Sequence, residues 1–243
     1  MNTKHILLTS ALVVSALAFT SCEDFFDTSS KKDLNTETAY SNLESAEMAL
    51  VGCYDGWQRT ISDEGVGMYL LAEFASEQAF AGLGLSDAKN NNVIDQFNLG
   101  IAPSYNDIFN VDWQNYYKAI FRCNQLIVQE DNIDWAGDIK AQGRVMGEAH
   151  AIRGILYFDL VRMFGDVPLL TAPSEENIPR SPASDVYQLI FEDFKYAIEH
   201  IPADAYPLDN NDTNDGRITK YAAEALMARA YLYHTGYYGA EHP

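Results

Sequence analysis

Apolar residues recur every three or four positions along most of the chain after residue 38, and this periodicity constrains the fold more than any other feature. It is the spacing of helices that bury one face. The pattern predicts six helices, which start near Ser41, Met68, Asp112, Asp138, Ser181 and Thr219. No segment of useful length alternates with the period of two that a half-buried strand requires. We therefore predict an all-α protein.

Capping residues predict where these helices begin and end. Ser41 and Glu44 have the spacing of a capping box, and Ser181 precedes Pro182, a residue favoured at the first helical position. The last helix is expected to end at Gly236, and its inward residues share helical spacing: Ala222, Leu226, Ala230 and Tyr233. Paired helices with small residues at their contacts resemble a tetratricopeptide-like stack with long irregular loops, although the strict repeat length is absent.

The first residues have the pattern of an export signal that ends at a cysteine. An uncharged, mostly apolar stretch runs from Ile6 to Phe19, and small residues separate it from Cys22. The stretch is too short to span a bilayer but fits a secretory signal. We expect residues 1–21 to be a lipoprotein signal peptide, Cys22 to carry lipid and residues 22–38 to be a flexible tether. An ordinary signal peptide with a chance cysteine is the alternative.

The charge of the chain excludes one class of partner. The formal net charge is −19, whereas nucleic-acid binding requires clustered lysine and arginine. Neutral or weakly charged ligands remain compatible with this charge. The sequence contains no nucleophile elbow, zinc signature or phosphate loop. We therefore expect a binding protein that is not an enzyme and that needs no cofactor or metal.

Three patterns that resemble functional sites have simpler structural explanations. Glu148 and Arg153 on the long central helix are expected to be scaffold ion pairs rather than catalytic groups. The acidic run from Asp209 to Gly216 looks like a calcium loop, but the EF-hand register puts no glutamate at the required twelfth position, so a solvated turn is favoured. Cys53 and Cys123 lie on helical stripes and are expected to be buried thiols, with a disulfide left open.

Four segments together resemble the SusD/RagB family of outer-membrane, nutrient-binding lipoproteins. They begin at Trp113, Gly147, Arg180 and Gly216. The most distinctive runs from Gly147 to Gly154 and continues to Phe164-Gly165-Asp166-Val167-Pro168-Leu169. The resemblance implies a surface-exposed protein, lipid-anchored in the cell outer membrane, that captures oligosaccharides or other nutrients without a chemical step. It also implies a TonB-dependent, SusC-type transporter as partner.

Two other functions remain open beside the one that the resemblance implies. The stacked helix pairs would also suit a protein-interaction scaffold of the outer membrane without its own ligand site. An accessory glycoside hydrolase with its own pair of carboxylates is the third alternative.

The longest irregular segment of the mature chain, Gly82 to Gly100, is the predicted ligand site. In the family the corresponding loop contributes an aromatic ring and an amide to the ligand site, and both groups suit sugars. The candidate contacts are aromatic or polar residues in or beside this segment: Phe80, Asp87, Asn90, Asn91, Asn92 and Gln96. Phe97 and Tyr105 are expected to anchor the core of the loop.

The resemblance covers only the N-terminal half of the family's architecture. We therefore expect residues 39–243 to be the SusD-like N-terminal helical domain, truncated at its C-terminus. An exposed apolar patch near Leu226, Tyr233 and Tyr237 would accompany such a truncation.

Overall fold

Seven α-helices account for nearly all the regular structure in the computed structural model, which describes residues 40–62, 65–76, 78–82, 89–98, 100, 109–174, 176–206 and 216–239. The helices are α1 (Leu43–Ser62), α2 (Gly67–Ala75), α3 (Lys89–Asp95), α4 (Asn110–Ile127), α5 (Ile139–Phe164), α6 (Ala183–His200) and α7 (Lys220–Tyr238). A 3-10 turn, Glu130–Asn132, follows α4. The only β-pairings within those ranges are two isolated bridges. The predicted all-α class is confirmed for the described part of the chain.

The helices pack as antiparallel neighbours. Arg122 on α4 donates to the Gly52 carbonyl of α1 at 2.9 Å, while Ala119, one turn earlier, lies against Gly56, one turn later. The pair α5 and α6 has the same arrangement, and α7 packs along α6. Successive helix pairs placed side by side give the predicted tetratricopeptide-like stack.

Helix α5 forms the centre of the stack because four helices cover it. It contacts α1, α4, α6 and α7, and most of its residues from Gly143 to Val161 are buried. Two of its glycines let α6 approach closely. A Cβ at Gly147 would lie 2.5 Å from Ile201 Cγ1, and one at Gly143 would lie 2.5 Å from the His200 carbonyl oxygen. Gly143 and Gly147 therefore set the spacing between α5 and α6.

Helices α5 and α7 begin near the residues predicted for them, and the side chain that caps each of these helices is local. Asp138 accepts a hydrogen bond from the Ala141 amide at the start of α5. Thr219 accepts from the Ala222 amide at the start of α7. Gly165 ends α5 with a φ of 66°, as predicted. These caps were visible in the sequence because each partner lies within three residues.

Two predicted caps are corrected. The reciprocal box at α1 lies one residue later than expected, since Asn42 Oδ1 accepts from the Ser45 amide and Ser45 Oγ accepts from the Asn42 amide, both at 3.0 Å. At the start of α6, the Ala183 amide donates a hydrogen bond to the Asp166 side chain at 2.8 Å. Pro182, the N-cap residue, makes no capping hydrogen bond through its side chain. The second cap comes from a residue seventeen positions away, which a local pattern cannot reveal.

Two predicted helices have different limits. The sequence pattern predicts that the second helix runs from about Met68 to Phe80, but helix α2 ends at Ala75. Helix α7 continues through Gly236 to Tyr238, where Gly239 adopts a left-handed conformation with a φ of 61°. The buried residues of α7 are Ala223, Ala230 and His234. Ala222 and Leu226 pack against the core half-buried, in line with the predicted inward face, whereas Tyr233 is 43% exposed, so its predicted inward position was wrong.

Within the described ranges, no helix combines the length and the apolar character that crossing a membrane requires. The predicted signal peptide, Cys22 and the tether to residue 38 lie outside the described residues, so those predictions stand as made.

Candidate functional site

A small hydrophobic cluster, separate from the main core, supports the predicted ligand segment. Its buried members are Val66 just before α2, Phe74 in α2, Ala81 between α2 and α3, and Ile94 in α3. Asp112 of α4 holds this cluster against the stack. Its buried carboxylate accepts from the amides of Val66 at 2.9 Å and Gly67 at 2.7 Å. A carboxylate at the N-terminus of α2 also complements the helix dipole.

Phe97 occupies a backbone position that normally belongs to glycine. The Phe97 amide donates to the Ile94 carbonyl and the Asn98 amide to the Val93 carbonyl, which is the Schellman pattern at the end of α3. Phe97 is the residue in the left-handed region, with a φ of 48°. This conformation costs a side-chain-bearing residue roughly 1–2 kcal/mol. The Phe97 side chain is nevertheless 77% exposed, so packing in the protein interior does not offset the energy of this backbone conformation.

Phe80 presents a second exposed ring from the same cluster. Its neighbour Ala81 is buried in the cluster, yet Phe80 itself is 88% exposed. Exposed apolar surface marks ligand and partner contacts where several such side chains share one region, whereas single exposed hydrophobic residues are common. Phe80 and Phe97 are named the exposed aromatic pair here, because both rings lie in solvent in or beside the predicted ligand segment.

The remaining predicted site residues have different environments. Helix α3 forms inside the stretch expected to be irregular, and it carries the three asparagines. Asn91 is half-buried, Asn92 is only 5% exposed and Gln96 is exposed. Of Asn90 only the backbone is described, and Asp87 and Tyr105 lie outside the described residues. Asn92 therefore belongs to the interior of the segment rather than to its surface.

Sequence reasoning assigned Phe97 to the loop core, and the structure corrects that assignment. The missed signal is the absence of glycine where α3 ends, at Gln96-Phe97-Asn98. A helix that stops there needs a left-handed residue, and Phe97 is the residue that supplies it. Because the sequence pattern did not predict α3, it could not identify Phe97 as the residue that ends this helix.

A second aromatic surface lies where α2, α5, α6 and α7 approach one another. Met68 of α2 and the ends of α5 and α7 line a cleft of about 420 Å³ there, and its aromatic and cationic lining includes Arg162, Tyr187, Tyr233, Tyr237 and Tyr238. Tyr237 is 83% exposed. The predicted apolar patch is therefore present at Tyr233 and Tyr237, whereas Leu226 is half-buried.

The buried Glu148 carboxylate is held by groups of the protein itself. The hydroxyls of Tyr54 and Tyr206 each donate to it at 2.6 Å. Arg144 lies 3.5 Å and Arg217 3.6 Å from its oxygens. Burial, followed by the charge and hydrogen bond of Glu148, raises the pKa of Tyr54 well above its ordinary range. Four surrounding side chains satisfy the carboxylate, as a scaffold role requires.

A second buried network joins α4, α5 and α6. Asp193 binds the Arg153 guanidinium through both oxygens, at 2.7 and 2.9 Å, and lies 2.7 Å from His150 Nδ1. Arg153 also donates to Asn124 at 2.8 Å. Bidentate pairing of this kind fixes geometry as well as charge. The prediction that Arg153 belongs to a scaffold ion pair is therefore confirmed.

Metal ligands do not gather anywhere in the described residues, where no group of three or more His, Cys, Asp or Glu side chains could hold an ion. This statement does not cover the acidic run from Asp209 to Gly216, which resembles a calcium loop, because Gly216 is the only residue of that run that the structure describes.

Comparison with known proteins matches residues 24–232 to a family profile, SusD-like_3, described as "Starch-binding associating with outer membrane". The match covers most of the 243 residues. The chain belongs to the SusD-like family. The family predicted from the four motifs is confirmed.

Individual SusD-like proteins agree with this assignment. SusD-like protein P38 of Formosa agariphila is 24% identical over 98% of this chain and 44% of its own length. A crystal structure of a SusD homolog from Bacteroides thetaiotaomicron is 27% identical, covers 83% of this chain and 38% of that one, and has a TM-score of 0.63. A SusD superfamily structure from Parabacteroides distasonis, 24% identical, covers 80% of this chain and 40% of that one, with a TM-score of 0.64. The chain thus spans less than half the length of these SusD-like relatives.

Proposed function

We propose that this chain is part of a lipid-anchored, surface-exposed receptor of the outer membrane that captures oligosaccharides without a chemical step. The bound glycan would pass to a TonB-dependent, SusC-type transporter for import. The observation that carries the proposal is the family match over residues 24–232, whose description joins starch binding to the outer membrane. The Glu148 and Asp193 carboxylates support a binder over an enzyme, because the oxygens of both already accept hydrogen bonds from other side chains of the protein.

We place the glycan contacts of this chain at the exposed aromatic pair, Phe80 and Phe97. Apolar faces of sugar rings pack on aromatic rings, and both rings are in solvent. Gln96, next to Phe97, and Asn91 on α3 would supply hydrogen bonds to hydroxyls. Backbone strain at Phe97 supports this placement, since strained residues concentrate at functional sites. Asp87 and Asn90 stay in the proposed set, and Asn92 would support α3 from inside.

Calorimetric titration of the chain with starch oligosaccharides, and then with a panel of other polysaccharides, tests the site. Removing one stacking ring is worth about 0.5–1.5 kcal/mol, so Phe80→Ala should weaken binding by roughly tenfold or less. Phe97→Gly should weaken it similarly while leaving the chain at least as stable, because glycine accepts the left-handed backbone. Tyr237→Ala, which removes an exposed ring on the other aromatic surface, is the matched control.

Opposite responses would overturn the placement. If Tyr237→Ala weakens binding while Phe80→Ala and Phe97→Gly do not, the ligand occupies the cleft at the end of α7. If no polysaccharide binds the chain, glycan capture is not its activity, and the scaffold alternative takes its place.

The lipid anchor has an independent test. Cys22→Ser should release the chain from the outer-membrane fraction, because it removes the only proposed attachment point. Glycan affinity measured by calorimetry should stay unchanged. Retention of the variant in washed outer membranes would contradict the anchor.

A protein-interaction scaffold is the second candidate, and the outer face of α7 favours it. Tyr231, Leu232 and Tyr237 are exposed along that helix, and apolar helix faces in solvent mark contact surfaces. Co-purification with a transporter barrel, combined with no affinity for any polysaccharide, would support this function over glycan capture.

A further inference from the structure

Cys53 of α1 and Cys123 of α4 face each other inside the core. The register of the two helices shows this. A Cβ at Gly56 would lie 3.0 Å from Ala119 Cβ and 3.1 Å from its Cα, so the two backbones almost touch at that point. In an antiparallel pair of helices, the residue one turn before Gly56 lies opposite the residue one turn after Ala119. These two residues are Cys53 and Cys123.

The surrounding contacts fix this register from both sides. Arg122, the residue before Cys123, donates through Nη1 to the Gly52 carbonyl at 2.9 Å and to Asp55 at 2.5 Å. Gly52 and Asp55 lie on either side of Cys53 in the sequence, so these two hydrogen bonds hold Cys53 beside Cys123. Both thiols are free and fully buried. Burial, and then the hydrogen bond that the Cys123 S–H makes to the facing Cys53, raise the pKa of the Cys123 thiol well above its usual range. The two thiols therefore face each other across the pair of helices, and burial shields both of them from solvent in the folded chain.

We propose that Cys53 and Cys123 form a disulfide in the exported protein, linking α1 to α4 beneath the ligand segment. The inference rests on the export that the proposed function requires, because disulfides persist in the oxidising cell envelope. The bond would close the chain from residue 53 to residue 123. That loop contains α2, α3 and the exposed aromatic pair, so the disulfide would tie together the two helices from which the ligand segment emerges.

The reaction needs an oxidant, and a disulfide-bearing thiol oxidoreductase of the envelope is the class that fits. One cysteine, as thiolate, attacks the oxidant's disulfide and forms a mixed disulfide. The second thiolate then attacks the first cysteine's sulfur and releases the oxidant as a dithiol. Two thiols lose two protons and two electrons, which the oxidant gains. Because both thiols are buried in the folded chain, this step precedes the closing of α1 onto α4.

Refolding in a glutathione redox buffer tests the pairing apart from export and from glycan binding. The full chain carrying Cys22→Ser is refolded, alkylated and digested with trypsin without reductant. Mass spectrometry should find the Cys53 peptide joined to the Cys123 peptide in most molecules, and the same link in chain isolated from cell envelopes. A further Cys123→Ala substitution should abolish it. Reduction should lower the melting temperature by about 10 °C, since the loop is long.

Two results would overturn the inference. If both cysteines remain alkylatable after refolding under oxidising conditions, the geometry does not permit the bond. If refolded chain is linked but chain from the envelope is not, the bond is not formed in the cell. Loss of glycan affinity alone would leave the link intact, so the failure of the proposed function is distinguishable from the failure of this inference.

Discussion

The hydroxyl of Tyr54 links Glu148 and Ile218. It donates to Glu148 Oε2 at 2.6 Å and accepts from the Ile218 amide at 2.8 Å. One oxygen on α1 thereby joins the central helix α5 to the segment that leads into α7, although the residues are 94 and 164 positions apart. The three parts of the chain meet at a single buried polar atom.

Tyr54→Phe should therefore destabilise the fold while leaving its shape unchanged. It removes a donor to a buried carboxylate and leaves the Ile218 amide without an acceptor, which costs about 1–3 kcal/mol. Urea denaturation followed by circular dichroism measures the change. Tyr69→Phe, on the exposed side of α2, is the control and should stay within about 0.5 kcal/mol of the parent chain. Equal stability of both variants would show that the Tyr54 network contributes nothing.

Asp193→Asn should be more damaging, because it leaves the Arg153 guanidinium buried without its counter-charge. Breaking such a pair by removing one partner costs about 3–5 kcal/mol. Glu192→Gln likewise removes one carboxylate charge, but from the exposed side of the same helix, and should have little effect on stability. Chemical denaturation of the two variants side by side measures the difference. A loss below about 1 kcal/mol for Asp193→Asn would contradict the assigned role.

Two glycine-to-alanine substitutions should change stability in opposite directions. Gly147→Ala places a Cβ 2.5 Å from Ile201 Cγ1 and should cost about 1–3 kcal/mol through overpacking. Gly52→Ala on α1 meets nothing within 4 Å and should stabilise by about 0.5–1 kcal/mol, because alanine has less backbone freedom to lose. Thermal melts report both signs. Stabilisation by Gly147→Ala would mean that α5 and α6 lie farther apart than described.

The fold should lose stability at alkaline pH because buried tyrosines resist ionisation. Burial is the largest cause that raises the pKa of several tyrosine hydroxyls above the ordinary 10.0, among them those of Tyr54, Tyr116, Tyr117, Tyr157, Tyr196 and Tyr206. For Tyr206 the pKa rises to about 12. Since the folded pKa exceeds the unfolded one, the contribution to stability is complete below pH 10 and is lost as pH rises through the folded pKa values.

Tyrosinate absorbance measures this directly. In native protein these tyrosines should titrate well above the midpoint seen in urea, and the free energy of unfolding should fall steadily once the pH exceeds about 10. Coincident titration curves for native and denatured protein would contradict the burial of these hydroxyls.

The main helices and the family were predictable because their signals are local. Asp138 and Thr219 cap helices through amides three residues away, and the helical spacing of the apolar residues identifies the core. Other features depend on residues that meet only after folding. Asp166 caps α6 and Asp112 caps α2 from other elements, and no sequence window contains both partners of either contact.

The candidate site was predictable as a region but not residue by residue. The Gly- and Asn-rich composition predicted an irregular loop, yet burial of Val93 and Ile94 against α2 stabilises helix α3 there. That helix turns Asn92 inward and forces Phe97 into the left-handed position at its end. Tertiary packing thus overrode the local preference, and it selected which side chains reach solvent.

The helical class, the family and most of the core can be read from the sequence, because helical periodicity and motif spacing are properties of neighbouring residues. The pairing of polar groups, the position of Cys53 opposite Cys123 and the exposure of Phe97 under backbone strain follow only from tertiary packing. These relationships depend on the register between helices that are distant in sequence. That register is fixed by close contacts such as Gly56 with Ala119, which form only when the whole stack assembles.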